Sequence, residues 1–124
     1  MVNLMENGSY SLEDLMFIIR EFIEERNWQS FQKPASLAMS AAIELGELLE
    51  LFQWLTHDEI DTQLEKEEYR ESLADEIADV FIYLLRIADT ASISPTNAIL
   101  DKIQKNAQKY PVKDWRGKIP DKVR

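Results

Sequence analysis

Two short segments of this chain, Glu44-Leu-Gly-Glu47 and Glu76-Ile-Ala-Asp79, each set two acids three residues apart beside an apolar pattern that normally excludes charge. With Glu44 at 0° and a turn of 100° per residue, Leu37, Ala41, Leu45, Leu48, Phe52 and Leu55 fall between about 20° and 100°. Glu44 then borders the buried face, and Glu47, near -60°, sits on its shoulder one turn away. The second segment repeats the offset: Leu73, Ile77, Val80, Leu84 and Ile87 form the stripe, Glu76 borders it, and Asp79 lies near -60°. Either pair alone is commonplace on a solvated helix. Four acids converging at the edge of one core repel each other unless they are protonated or bridged by cations, and an all-oxygen ligand set suits magnesium, with manganese as a substitute.

Around these acids stand groups of other chemistry. Trp54 and Tyr83 come two turns after Glu47 and Glu76 on the same faces, as walls beside a metal site, although packing is the usual employment of a helical aromatic such as these or Trp28. Lys102, Asn106 and Lys109 lie within about 60° on one further helix, a donor-rich face suited to phosphate oxygens, or equally a solvated helix end that complements the helix dipole. Neither acid pair is a Glu-x-x-His, which argues against di-iron oxygen chemistry, and the single histidine, His57, reads as a capping or surface residue. There is no nucleophile elbow, Walker loop or Gly-x-Gly-x-x-Gly turn.

Helices must carry these groups. Ser11 with Asp14 opens the first, whose apolar residues recur at helical spacing from Leu12 to Ile23, ending about Asn27. Pro34 opens a second, running to about Thr56. The polar stretch from His57 fits a loop or a solvated helical turn equally. A third helix is expected from about Lys66 to Ala91, and Ser94-Pro95 caps a fourth that ends before Pro111. Residues 1–10 read as a flexible start and 112–124 as an irregular arm that crosses to a neighbouring subunit. No period-2 strand pattern of useful length appears, so the expected class is all-α, one domain, a four-helix bundle-like subunit with the acids on its middle two helices.

Composition narrows the function classes. The net charge of -9 divides unevenly: residues 1–100 hold 6 Lys/Arg against 20 Asp/Glu (-14), and residues 101–124 hold 8 against 3 (+5). So acidic a body argues against binding duplex nucleic acid through its backbone. Without cysteine there is no disulfide, thiolate catalysis or cysteine-bound zinc. No apolar run approaches the ~20 residues of a membrane span, and the N-terminus lacks a signal pattern, giving a cytoplasmic expectation. At 124 residues the core is modest, and association would supply further burial.

Taken in order, Glu44 to Trp54, Asp75 to Leu84 and Lys105 to Pro111 resemble the MazG-like all-α nucleoside triphosphate pyrophosphatases, most closely their dCTP pyrophosphatase branch. The resemblance spans roughly residues 11 to 117. It implies magnesium-dependent cleavage of a (deoxy)nucleoside triphosphate to monophosphate and pyrophosphate, a house-cleaning role with dCTP or related nucleotides as substrate. Glu44, Glu47, Glu76 and Asp79 would hold metal and position water as the catalytic acids. Trp28, Trp54 and Tyr83 would enclose base and sugar, and Lys102, Asn106 and Lys109 would meet the phosphates. Sites in this family are usually built between subunits, which implies a homotetramer of paired dimers. One departure stands out: Ile19 occupies the position of a first-helix histidine that contributes to the base pocket in the dCTP branch. A dUTP or noncanonical-nucleotide hydrolase on the same scaffold, and a non-catalytic nucleotide-sensing partner protein, are the competing expectations.

Overall fold

A computed structural model of the protein describes residues 8–120, and these form six helices without strands. Their order is α1 (Leu12–Glu25), a single 3-10 turn (Gln29–Phe31), α2 (Pro34–Glu50), α3 (His57–Gln63), α4 (Glu67–Thr90), α5 (Pro95–Lys109) and α6 (Val112–Trp115). The all-α class is as expected, and α1, α2, α4 and α5 are the four long helices. Most of the expected flexible start, 1–7, and the last residues of the arm, 121–124, lie outside the described residues.

Local chemistry sets the boundaries. Ser11 and Asp14 exchange side-chain and backbone hydrogen bonds at the start of α1, a capping box that satisfies two otherwise unpaired donors. Ser94 caps α5 ahead of Pro95. The second helix stops at Glu50, six residues before the expected Thr56. Its apolar period continues to Leu55, but Tyr69 of α4 donates its hydroxyl hydrogen bond to the Leu51 carbonyl (2.7 Å), and Thr56 with Glu59 forms a second capping box that starts α3. The capping interaction therefore overrides the periodicity. His57 is the first residue of α3 and Thr56 does the capping. The stretch left open between loop and helical turn is thus a seven-residue helix.

Packing is dominated by α2 against α4, with α1 laid on α4 and α5. The pair runs antiparallel: Leu51 meets Tyr69 at one end, Glu44 and Glu47 meet Glu76 in the middle, and Gln32, just before α2, meets Arg86 at the other end. Glu13 of α1 pins the start of α5, accepting from Ser94 Oγ, Thr96 N and Thr96 Oγ1, which holds its carboxyl well down, at about 2.

The core is smaller than the two stripes anticipated. Met16, Ile23, Leu37, Ala41 and Leu85 are its buried apolar members, while Leu45, Ile77 and Leu84, expected inside, are exposed, as are Met39, Ile43 and Phe81. Each middle helix is apolar over a wider arc than one neighbour can cover, so within a single chain part of that arc faces outward. One stretch of the arm, expected to be irregular, takes up helix. Val112–Trp115 is helical, and the Trp115 ring meets Tyr110 edge-on at 4.9 Å, folding the segment back against the end of α5 of its own chain.

Candidate functional site: a carboxylate cluster between α2 and α4

The acids meet where α2 and α4 cross. One carboxylate oxygen from each of Glu44, Glu47 and Glu76 lies within 4.8 Å of the other two. Glu44 and Glu76 are half-buried, each with Oε2 shut off from solvent and without a hydrogen-bond partner, whereas Glu47 is exposed. Desolvation, then the hydrogen bond and charge of Glu47, push the Glu44 carboxyl up to about 7. Glu76 is raised for the same reasons, desolvation first. Asp79 stands outside the closest trio, yet its charge contributes to raising both groups.

Orphaned buried carboxylate oxygens are costly, and a group of acids driven toward protonation by one another is what a divalent cation relieves. The donor set is oxygen only, from carboxylates alone, and fits a hard cation such as magnesium or manganese. This has a measurable consequence for the metal-free protein. A carboxyl raised from 4.5 to about 7 binds more protons folded than unfolded between those values, so its contribution to stability is lost as pH rises through that window. The thermal midpoint of the parent relative to Glu44→Gln should therefore fall from pH 4.5 to pH 7, and magnesium should raise the parental midpoint most at the upper end. A flat difference between the two proteins across that window, with no response to magnesium, would contradict the fit.

The remaining candidates are distributed unevenly. Tyr83 keeps the expected register with Glu76 on α4 and is half-buried. Trp54 does not share a helical face with Glu47, because α2 has ended. It takes φ 70° and is 89% exposed. A bulky side chain in the left-handed region costs on the order of 1–3 kcal/mol, strain of the kind that gathers at functional sites. Trp28 precedes the 3-10 turn, its ring edge-on to Phe22 at 6.0 Å and partly exposed. Lys102, Asn106 and Lys109 do share a face of α5, and with Tyr110, Trp115 and Lys118 of the returning arm they line a hollow of about 530 Å³, within the size range of small-molecule sites. None of the acids lines that hollow. Within one chain the phosphate-binding face and the carboxylate cluster are separate surfaces.

Sequence reasoning missed three polar groups. Glu21 on α1 carries a third buried, unpartnered carboxylate oxygen. Arg86 is buried on α4, and Gln32 receives its hydrogen bond. A basic residue interrupting the apolar run from Val80 to Ala88 was the available signal for Arg86; nothing local marks Gln32.

Comparison with known proteins places this geometry. The model of the MazG-like family matches residues 39–118. The dCTP pyrophosphatase 1 of Rattus norvegicus is 37% identical over 107 residues, covering 86% of this chain and 63% of that protein, and its Homo sapiens counterpart is 38% identical over 101 residues, covering 82% and 59%. The chain thus spans a little under two thirds of the length of these curated relatives. The crystal structure of a pyrophosphatase from Archaeoglobus fulgidus superposes with a TM-score of 0.76 at 42% identity, covering 86% of this chain and 98% of that one. On its sequence, its helical architecture and the extent of these matches, the chain belongs to the MazG-like family.

Proposed function

We propose that the protein is a divalent-metal-dependent pyrophosphohydrolase that cleaves a deoxynucleoside triphosphate, dCTP or a related nucleotide, to the monophosphate and pyrophosphate, clearing the cytoplasmic nucleotide pool. The observation that carries this reading is the trio Glu44, Glu47 and Glu76 within 4.8 Å, two of them with orphaned buried oxygens. The names of the relatives, dCTP pyrophosphatase and pyrophosphatase, support it.

Glu44, Glu47, Glu76 and Asp79 would hold magnesium, which when bound supplies charge withdrawal from the α-phosphate and a lowered pKa for water. Glu47 is the exposed member of the trio and the one that water reaches, so it accepts the proton as the water oxygen bonds to the α-phosphorus. The bond from that phosphorus to the bridging oxygen breaks, and the electron pair leaves on pyrophosphate. Lys102 and Lys109 offset its charge and Asn106 donates to its oxygens. Trp28, Trp54 and Tyr83 enclose base and sugar, the exposed ring of Trp54 offering a flat surface for stacking.

Because the lysine-lined hollow contains no acid, the two halves of the site are best joined between copies, the α5 face of one chain meeting the acids of another in a homotetramer. The exposed apolar face of α2 supports this. Gly46 lies on the same arc as Met39 and Ile43, and a Cβ built there meets nothing within 4 Å of its own chain. A mid-helix glycine costs about 0.5–1 kcal/mol relative to alanine, a cost that close approach by another helix would explain.

The test is pyrophosphate release from ribo- and deoxyribonucleoside triphosphates with and without magnesium. Magnesium-dependent release, greatest for a pyrimidine deoxynucleotide, is the expected result. The half-buried Ile19 has no hydrogen-bonding group with which to choose cytosine over uracil, so dUTP belongs in the panel as the alternative substrate. No release from any triphosphate by folded, metal-binding protein would overturn the proposal.

A further inference from the structure

At the opposite end of the α2–α4 pair from Tyr69 lies an arginine that the mechanism does not use. Arg86 is 7% exposed. Its Nε donates to Gln32 Oε1 at 2.9 Å and its Nη1 to Asp89 Oδ2, while Asp89 also accepts from Nε and Nη2 of Arg20. Burying a guanidinium is expensive, and a well-packed apolar residue often serves stability equally well, so the position of Arg86 invites a reason other than stability.

The reason lies in what it holds. Gln32 closes the 3-10 turn that Trp28 opens, so one short turn links the candidate base-stacking ring to the Arg86 partner. On α4, Glu76, Asp79, Tyr83 and Arg86 fall within about 80° of one another, a single stripe running from the acids past the aromatic wall to the guanidinium. Arg86 stands ten residues beyond Glu76, about 15 Å along the helix, and Tyr83 stands between them. With phosphates at the acids and the base against Tyr83 and Trp28, Gln32 is at the base end. Arginine has donors and no acceptor, so only the oxygen of the Gln32 amide can face it. The amide nitrogen, a donor, is thereby turned the other way.

We infer that Arg86 is a positioning residue for base selection: by engaging the oxygen of Gln32 it fixes that amide as a hydrogen-bond donor toward the base, favouring bases that present a carbonyl oxygen over adenine, which has none. This rests on the nucleotide-hydrolase reading and deepens it, since the Ile19 side chain offers the base no hydrogen-bonding group. Asp89 keeps Arg20 when Arg86 is replaced, so loss of Arg86 strands no buried carboxylate.

Three variants test the inference, each read by KM and kcat for dCTP, dUTP and dATP and, separately, by tryptophan-fluorescence titration with dCMP and dAMP. Gln32→Glu keeps the partnership with Arg86 as an ion pair but replaces the donor with an acceptor. It should raise KM for dCTP and dUTP roughly tenfold or more, with kcat changed less than threefold, and should narrow the preference over dATP. Arg86→Leu frees the amide to flip and should act in the same direction more weakly. Arg86→Lys, again a donor without an acceptor, should restore selectivity. Parental KM values and base preference in both Gln32→Glu and Arg86→Leu would overturn the inference while leaving the hydrolase reading intact. If the parent releases no pyrophosphate but Gln32→Glu still weakens dCMP relative to dAMP, the hydrolase reading fails alone. Unaltered monophosphate binding in that case removes both.

Discussion

Replacing Glu47 with Gln should lower pyrophosphate release by at least ~100-fold while leaving the helical circular dichroism signal unchanged, the scale expected when a proton acceptor is lost from the reacting water. The substitution preserves shape at an exposed position on α2, so no buried contact is removed. It takes away one of the three converging carboxylates and the member nearest to bulk water. A second readout separates this role from a structural one. Glu47 contributes to raising both Glu44 and Glu76, so the variant should bring both carboxyls down toward their ordinary range and flatten the loss of metal-free stability between pH 4.5 and 7. Near-parental turnover in a variant whose pH response has flattened in this way would remove Glu47 from the chemistry and leave it only a place in the cluster.

The second large effect is on assembly. Ile43 is 64% exposed in the single chain, so Ile43→Asp should cost the isolated fold little; Met39 (68%) shares its face of α2, and Phe81 and Leu84 are similarly uncovered on α4. If a second copy covers this surface, an aspartate there becomes a buried, unpaired charge, a penalty of several kcal/mol per interface. Light scattering should then show the mass falling from a multiple of the chain to about the 14.5 kDa of one chain. Hydrolysis should fall with it, because the proposed site needs the lysine face of a different copy. A parent already at single-chain mass, or a variant that keeps both the parental mass and full turnover, would sink the shared-site arrangement.

These expectations draw on two different kinds of information. The helical class, the capped starts at Ser11 and Ser94 and the equal offset of the acid pairs beside their apolar stripes were legible in the chain itself, because helical periodicity and side-chain caps are local properties governed by neighbours within one turn; the meeting of Glu44 and Glu47 with Glu76 needed the α2–α4 packing. Locality also explains the failures. The apolar period carried α2 on to Thr56, whereas a hydroxyl from α4 and the Thr56–Glu59 box end it at Glu50 and leave Trp54 strained and exposed. Burial is decided by the area a neighbouring helix can cover, so the pattern that marked Ile77 and Leu84 as core could not reveal that they face outward from a single chain. Arg86 and Gln32 are 54 residues apart and meet only because α2 and α4 run antiparallel. By itself the sequence determined which residues could bind a cation; tertiary packing decided which oxygens are deprived of water, which charges are paired and which apolar faces remain open, because each depends on partners distant in the chain.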